Sequence, residues 1–499
     1  MKLPKSVYNW TSVIGLTVAI IALFMIGFLL TISIFFNQGG SYLGIFIYMV
    51  LPFFLVLGLI FIPIGMGMKV RRDKKSGESS MLRWPKLDFN EPRNRNGLMV
   101  FCIGSTIFLL LSAVGSYEAF HITESNKFCG TLCHEAMEPE YVAYQNSAHA
   151  RVKCVECHVG EGADWYVRSK ISGLRQVIAV ATNSIPRHIP TPIENLRPAR
   201  ETCEECHWPE KFYARQNRLE KHYLADETNT EWDISMQMKT GPNYSALGLQ
   251  EGIHWHINSA VTIEYKSDSK ERLVIPWVKY TNTETGEVVI YQDTEDPLSE
   301  EQINSIESRT MDCMDCHNRP SHNYLSPSKF VDNAMTAGKL PKDVPELKLM
   351  AMGILHEEYP TKDSAMNAIA QGVSDFYEND YAEIYNADPA KFDQIALVLQ
   401  EEFAKNIFPA MKTSWKVYPD HSSHLETPGC NRCHDDKHVS KQQNVIPRDC
   451  NLCHVINAQG TPGNMETTEV FKALEFKHPV DIDGEWKTML CSDCHSAMF

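Results

Sequence analysis

Cys154-Val155-Glu156-Cys157-His158 is one of seven stretches in which a pair of cysteines is followed directly by a histidine. Two residues separate the cysteines in six of these stretches, and three residues separate them in the earliest one. Together they use fourteen of the fifteen cysteines in a chain of 499 residues, which leaves almost none for disulfides. The triplets are Cys129/Cys133/His134, Cys154/Cys157/His158, Cys203/Cys206/His207, Cys313/Cys316/His317, Cys430/Cys433/His434, Cys450/Cys453/His454 and Cys491/Cys494/His495.

Such a triplet is what covalent attachment of a c-type haem requires. The two thiols add to the vinyl groups of the porphyrin, and the adjacent histidine is placed to bind the iron. Zinc knuckles and iron–sulfur sites also use paired cysteines, but they do not place a histidine after every pair. The sequence therefore predicts seven c-type haems, of which the first has an irregular attachment site at Cys129 and Cys133.

A second axial ligand for each iron is expected from histidines outside the triplets. Imidazole on both sides of the iron suits electron transfer because it leaves no coordination site for a substrate. Twelve of the 19 histidines are available, more than seven irons need. The candidates are the histidines that lie near an attachment motif or that occur as a close pair in the sequence. Of the pair His254 and His256, at least one is expected to bind an iron. The expected ligands are His149, His254, His256, His322, His424, His438 and His478, with Met137 as the candidate at the first motif.

Three apolar runs, 11–36, 43–66 and 98–120, predict a membrane anchor. At 1.5 Å per residue, each is long enough to cross a bilayer core of about 30 Å. The first run is longer than the apolar part of a usual signal peptide, and no small-residue cleavage site closes it. The loop 67–97 is rich in lysine and arginine, which beside two spans indicates topology and not nucleic-acid binding. By the positive-inside rule this loop and the amino terminus are cytoplasmic, and the haem motifs are periplasmic.

The expected fold class is mostly α with little regular structure, comprising a three-helix transmembrane anchor and a periplasmic multihaem c-type cytochrome domain with a small β insert. The β-rich runs 273–281 and 288–292 flank a turn with Gly286 and predict a hairpin. Helical periodicity is found at 165–181, 346–356, 364–377 and 389–408. The predicted regions are the anchor (1–120), a four-haem region (121–325) with the insert at about 225–305, a helical linker (326–420) and a C-terminal three-haem region (421–499).

The charge is unevenly distributed. The formal net charge is −15, yet residues 1–120 are net positive, so the haem-bearing part is strongly acidic. An acidic surface favours encounter with a basic soluble partner, an attraction that salt weakens. The alternative interpretation is that acidity only keeps this part of the chain soluble.

The segment from the third apolar run to about residue 325 resembles the NapC/NirT/NrfH family of membrane-anchored, quinol-oxidising cytochromes. The resemblance depends on Phe128-Cys129 with Cys133-His134, on Ser147-Ala148-His149 ahead of Cys154, on Arg197 to Cys203, and on Cys313 to His317 followed by His322. It implies that His149 and His322 are distal ligands exchanged among the second to fourth haems. It also implies that the first haem takes Met137 or an open position and receives electrons from menaquinol.

The resemblance further implies a quinol site in the helix after the second motif. Arg168 and Lys170 are the basic candidates there, but no acid stands at the family's position, where Arg175 is found. His121 and Glu124, together with Glu118, are the candidate proton acceptors. Two more spans and a three-haem tail resemble the design of inner-membrane cytochromes of metal-respiring bacteria, which pass electrons to periplasmic c-type cytochromes. The alternatives are a reductase of nitrite or a sulfur oxyanion with an open haem, a passive docking subunit, or quinone reduction by the reverse route.

Overall fold

The computed structural model describes residues 5–7, 9–36, 47, 50–75, 89–132, 134–160, 163–193, 197–241, 252–469 and 472–496. The chain divides into two compact units. The first comprises residues 1–134 with 153–155, and the second comprises residues 135–152 with 156–499.

The first unit is helical. Its two earliest helices pack closely because glycines face each other: a Cβ added to Gly58 would lie 2.6 Å from the carbonyl oxygen of Gly15. Ser12 adds an interhelical hydrogen bond from its Oγ to the carbonyl oxygen of Ile62 at 2.9 Å. Small residues and hydroxyl groups at the contact are typical of helices packed within lipid. The described helices of this unit are Trp10–Phe36, Leu51–Lys75, Pro92–Thr123 and Asn126–Thr131.

Among the described residues, two segments are long and apolar enough to cross a membrane. They are Trp10–Thr31, with a mean hydropathy of 2.8, and Leu51–Lys75, with a mean hydropathy of 2.3. Large apolar side chains point outward from both, for example Phe24 at 69% exposure and Phe53 at 62%. Such outward surfaces suit lipid as solvent. The third predicted span lies within the helix Pro92–Thr123 and stays a prediction.

A helical bundle at residues 327–406 supplies the largest apolar core of the second unit. Ser326 caps one of its helices through a hydrogen bond from the amide of Lys329, and Asp388 caps another through the amide of Lys391. Val331, Leu347 and Leu399 are fully buried in the core, and burying such side chains stabilises the fold by about 1.5–3 kcal/mol each. The bundle confirms the helices predicted from periodicity. The helices are Pro327–Thr336, Leu347–Leu355, Lys362–Asp380, Ala382–Ala387 and Pro389–Asn406.

Outside the bundle, the longest helix of this unit follows the second attachment motif. That helix, Ala163–Ala181, agrees with the periodicity at 165–181. The remaining helices are His134–Gln145, which begins at the boundary of the two units, Cys154–His158, Ala199–Cys203, Glu300–Ser305, Cys313–Cys316 and Cys491–His495.

The described strands form two antiparallel sheets. One has the order β1-β2-β8-β9 and the other the order β6-β3-β4-β5-β7. The strands are β1 (Arg215–Tyr223), β2 (Glu231–Lys239), β3 (Val261–Lys266), β4 (Trp277–Asn282), β5 (Val288–Asp293), β6 (Arg309–Thr310), β7 (His438–Ser440), β8 (His454–Thr461) and β9 (Asn464–Thr467).

The predicted hairpin is confirmed, since β4 pairs antiparallel with β5 and Gly286 has a φ of +75° in the turn. The predicted insert is not self-contained, however. β2 pairs with β8 and β5 pairs with β7, so the C-terminal haem region completes both sheets. Strands β7 and β8 begin next to attachment motifs, which is why sequence periodicity did not reveal them. The region boundaries at 325 and 420 stay predictions.

Candidate metal centres

Each regular attachment motif forms one tight turn. The turn is α-helical at Cys154–His158, Cys313–Cys316 and Cys491–His495, whereas the other three motifs begin on a helix or 3-10 turn that ends before the second cysteine. In an α-helical or 3-10 turn, residues three apart share one face, so both thiols of a motif point to the same side. In the fourth motif the His317 amide continues the turn by donating to the carbonyl of Cys313 at 2.8 Å. In this motif Asp312 caps the turn and forms a capping box with Asp315. The local fold thus presents two thiols and an imidazole to one space.

Six pairs of histidines face each other across spaces of nearly equal width, and each pair joins a motif histidine to one outside the motifs. The distances between ring centres run from 5.9 to 6.3 Å. The motif histidine is named second in each pair: His149 and His207, His322 and His158, His254 and His317, His256 and His434, His424 and His454, and His478 and His495.

This spacing fits an iron between the two rings. A metal–nitrogen bond of about 2 Å on each side, with about 1 Å from each nitrogen to its ring centre, gives a separation of about 6 Å. Without an iron between them, two stacked imidazoles would lie closer together than about 6 Å, and two hydrogen-bonded imidazoles would have their nitrogens joined directly. The residues therefore fit haem irons with two histidine ligands in all six described regular motifs.

Hydrogen bonds orient the histidines that come from outside the motifs. In five of them Nδ1 donates to a backbone carbonyl, as in His322 to Glu140 at 2.9 Å and His256 to Ile253 at 2.9 Å. With the proton on Nδ1, the lone pair of Nε2 is left for a metal. The same bond is made by His149 to Pro320, His254 to Thr240 and His478 to Val480.

Burial lowers the pKa of several paired histidines, which favours their neutral form. Burial lowers the pKa of His256, and the neighbouring His434 lowers it further. For His454, burial and then the nearby His424 lower the pKa to about 4. Only a neutral imidazole binds a metal, so the electrostatics agree with the geometry.

His438 is a correction to the predicted ligand set. Its Nδ1 lies 2.9 Å from Oδ1 of Asp435, and its Nε2 lies 2.7 Å from the carbonyl oxygen of Ile275. Burial lowers its pKa, but the hydrogen bond and charge of Asp435 outweigh burial, so the pKa of His438 is raised. With both nitrogens bound within the described structure, His438 has no lone pair for an iron, and it instead helps to hold β7 at the edge of the five-stranded sheet.

Thiols of successive motifs, from the second motif to the seventh, lie close enough to affect one another's pKa. Burial raises the pKa of most of these thiols, and the thiolate of a neighbouring motif raises it further; between Cys203 and Cys313 a hydrogen bond is the largest effect. The motifs are thus neighbours in space in the order in which they occur in the chain. The adjoining thiols are Cys157 and Cys206, Cys203 and Cys313, Cys316 and Cys430, Cys430 and Cys453, and Cys450 and Cys491.

Three of the predicted attachment cysteines are exposed, whereas the other described motif cysteines, Cys433 among them, are half-buried. The exposed ones are Cys206, Cys450 and Cys494. Exposure does not remove Cys494 from its motif, because it lies on the helical turn Cys491–His495, whose His495 faces His478. A thioether needs its sulfur at the edge of the porphyrin and not within an apolar core. Attachment at Cys494 stays a prediction, and burial is not what distinguishes an attachment thiol in this chain.

Arg432, inside the fifth motif, ties that motif to the fourth. Its Nη2 donates to the carbonyl of Asp315 at 2.7 Å, and its Nη1 donates to the carbonyl of Arg272 at 2.9 Å. Asp315 in turn accepts from Tyr265 of β3 and from Arg309 of β6. Sequence analysis did not single out these residues, although the charged positions inside the CxxCH spacers were a signal that could have found them.

The first motif is described only in part. Cys129 lies in the helix Asn126–Thr131, which Ser125 caps. Cys133 and the side chain of His134 fall outside the described residues, and Met137 is half-buried on the helix His134–Gln145. The expectation of a methionine ligand or an open iron at this motif stays a prediction.

The candidate quinol residues belong to two different helices, with His121 and Glu124 at the end of one and Arg168 and Lys170 within the other. His121 is exposed on the helix Pro92–Thr123, with its ring 4.3 Å from that of Tyr117, and Glu124 follows directly. Arg168 is exposed on the helix Ala163–Ala181, with its guanidinium 5.3 Å from the Trp165 ring centre. The side chain of Lys170 falls outside the described residues. The two groups belong to separate compact units, so the quinol site stays a prediction.

Comparison with known proteins agrees with these centres. Residues 91–198 match the N-terminal region of the NapC/NirT cytochrome c family. The chain belongs to that family of membrane multihaem c-type cytochromes of electron transport. It is 42% identical to the cytochrome c-type protein ImcH of Geobacter sulfurreducens over 492 residues, which cover 98% of this chain and 95% of that protein. No solved structure matches.

Proposed function

We propose that this chain is an inner-membrane cytochrome with seven c-type haems that oxidises menaquinol and relays the electrons to periplasmic c-type cytochromes. The observation that carries the proposal is the set of six facing histidine pairs, one for each regular motif. When bound, the haems supply irons that take up and release single electrons. At these six motifs, imidazoles on both sides would close the iron to substrate, which supports electron relay and disfavours a reductase of nitrite or a sulfur oxyanion.

The chain's own residues supply the proton chemistry of quinol oxidation. Each quinol releases two electrons and two protons as it becomes a quinone, so a positioned base and a nearby cation lower the barrier. Arg168 and Lys170 are the proposed cations, which stabilise the negative charge that develops on the quinol oxygen. His121 and Glu124, at the predicted membrane exit, are the proposed acceptors that pass the protons outside.

The proposed topology follows from the distribution of charge. Three spans cross the inner membrane, with the amino terminus and the basic loop 67–97 in the cytoplasm and all haem regions in the periplasm. This arrangement places the attachment motifs on the side of the membrane where c-type haem is attached. A fusion of a periplasm-active reporter after residue 97 is expected to be inactive, whereas the same fusion after residue 499 is expected to be active.

The acidic periplasmic part is proposed to meet a basic soluble cytochrome. The formal negative charge is concentrated after residue 120, and attraction between opposite charges speeds encounter more than it strengthens the complex. The rate of electron transfer to a basic cytochrome is therefore expected to fall steeply as salt is raised. A rate that does not change with salt would remove this element of the proposal.

Anaerobic mixing of the purified full-length protein with a reduced menaquinol analogue tests the function. Prompt haem reduction that a quinol-site inhibitor blocks supports quinol oxidation. Haems that dithionite reduces but the quinol does not would contradict quinol oxidation. Turnover of nitrite or sulfite by the same preparation would favour the reductase alternative, whose open iron could then lie only at the first motif.

A further inference from the structure

Arg197 is a buried arginine, two of whose nitrogens have no hydrogen-bond acceptor among the described residues. Its side chain is only 9% exposed, and its Nε and Nη1 make no hydrogen bond within the described structure. The nearest carboxylates, of Glu201 and Glu205, lie 3.6 and 3.7 Å away, which is too far for a hydrogen bond, and both are half-exposed. A buried donor without an acceptor loses hydration and gains no hydrogen bond in return, so Nε and Nη1 still need an acceptor in addition to the ion pairs with Glu201 and Glu205.

Gly160 shows that the position of Arg197 is built into the fold. Gly160 has a φ of +62°, and a Cβ added to it would overlap the Nη1, Cδ and Cζ atoms of Arg197. Any larger residue would therefore displace the guanidinium. Gly160 lies two residues after His158, so the backbone leaving the second motif holds the arginine in place.

The same arginine also lies beside the third motif. It precedes Cys203 by six residues, and its partner Glu205 lies within that motif. Arg197 therefore stands where the second and third motifs meet.

We propose that Arg197 is a cofactor-binding residue whose buried donors hold a haem carboxylate at the meeting point of the second and third motifs. Haem is the group of this family that brings carboxylates to the attachment motifs, and arginine pairs strongly with carboxylates. A fixed positive charge beside an iron also favours the reduced state, which carries one positive charge less. Arg197 thus raises the reduction potential of the haem that it holds. The proposal rests on haem attachment and not on quinol as the donor.

A redox titration of the full-length protein, followed by haem absorbance with mediators, tests this role without any quinol. Arg197→Gln is expected to shift one haem to a more negative potential, and Arg197→Lys, which keeps the charge, is expected to shift it less. Gly160→Ala displaces the guanidinium without changing the charge of the chain and is expected to shift the same haem in the same direction. Arg187→Gln, at an exposed arginine ten residues earlier, is the matched control and is expected to shift none.

Double variants identify which haem supplies the carboxylate. Methionine ligation raises a haem potential, so His322→Met marks the haem of the second motif and His149→Met marks that of the third. The marked haem whose potential Arg197→Gln shifts is the one that supplies the carboxylate. Unchanged potentials in both Arg197→Gln and Gly160→Ala, or an equal shift in Arg187→Gln, would overturn the proposal. If Arg197→Gln fails to retain haem, Gly160→Ala and Arg197→Lys decide the question.

Discussion

His254 and His256 lie on one 3-10 turn, Ile253–Ile257, yet they face the histidines of two different attachment motifs. The His254 ring centre lies 6.3 Å from that of His317, and the His256 ring centre lies 5.9 Å from that of His434. One short turn therefore orients two neighbouring iron sites. It joins the four motifs of the family-like part of the chain to the three motifs that follow.

His254→Met and His256→Met are expected to raise the reduction potentials of two different haems, because a methionine ligand favours the reduced iron. A potentiometric titration of each variant, resolved by haem absorbance, measures the shifts. If both variants moved the same haem, the assignment of one histidine to each motif would be wrong.

His438 and His424 are expected to behave differently although both lie near the fifth motif. His438→Asn removes buried hydrogen bonds and is expected to lower stability by about 1–3 kcal/mol while all haems stay low-spin. His424→Ala is expected to leave one iron with an open site and a high-spin spectrum. Electron paramagnetic resonance together with denaturant unfolding separates the two effects. A high-spin haem in His438→Asn would restore His438 as a ligand.

Arg168→Ala and Lys170→Ala are expected to slow haem reduction by a menaquinol analogue by about tenfold or more, the effect of losing about 1.4 kcal/mol of stabilisation. Reduction by dithionite should be unaffected, because it does not use the quinol site. Stopped-flow absorbance measures both rates. Arg175→Ala, at an exposed cation on the same helix, is the control, and an equal slowing there would mean that general charge and not a site is responsible.

Lys348 and Asp332 form a buried ion pair in the helical bundle, with Nζ 2.5 Å from Oδ1. Lys348→Ala leaves the buried carboxylate of Asp332 with only the Tyr223 amide and the His222 ring beside it, and it is expected to destabilise this region by about 3 kcal/mol. Unfolding followed by circular dichroism measures the loss. The exposed pair of Lys362 and Glu138 is the control, since Lys362→Ala should cost no more than about 1 kcal/mol. Equal losses in the two variants would contradict the importance of burial.

The candidate haem-binding residues that the structure brings together could be proposed from sequence where they follow local rules. The CxxCH spacing needs only one helical turn, so each regular motif was visible, and His149 and His322 were found through the family resemblance. Which histidine faces which motif depends on long-range packing, as when His322 returns to face His158, and no local pattern encodes it. His438 was misassigned because proximity to a motif does not reveal that Asp435 and Ile275 occupy its nitrogens.

In the sheets, too, features set by local sequence could be predicted and features set by long-range packing could not. The β4–β5 hairpin has a local turn and strand-forming residues, so it was predicted, whereas the pairing of β2 with β8 joins residues more than two hundred positions apart in the chain. Arg197 was quoted only as part of a family motif, since its burial against Gly160 is visible only in three dimensions.

Stepwise anaerobic addition of a menaquinol analogue to the full-length protein, with haem absorbance read at each step, tests the central claim most directly. Inhibitor-sensitive bleaching of the oxidised haems is predicted, with two haems reduced for each quinol consumed until the donor's potential is reached. A purified chain that retains no covalent haem, or whose haems the quinol never reduces, would contradict the account.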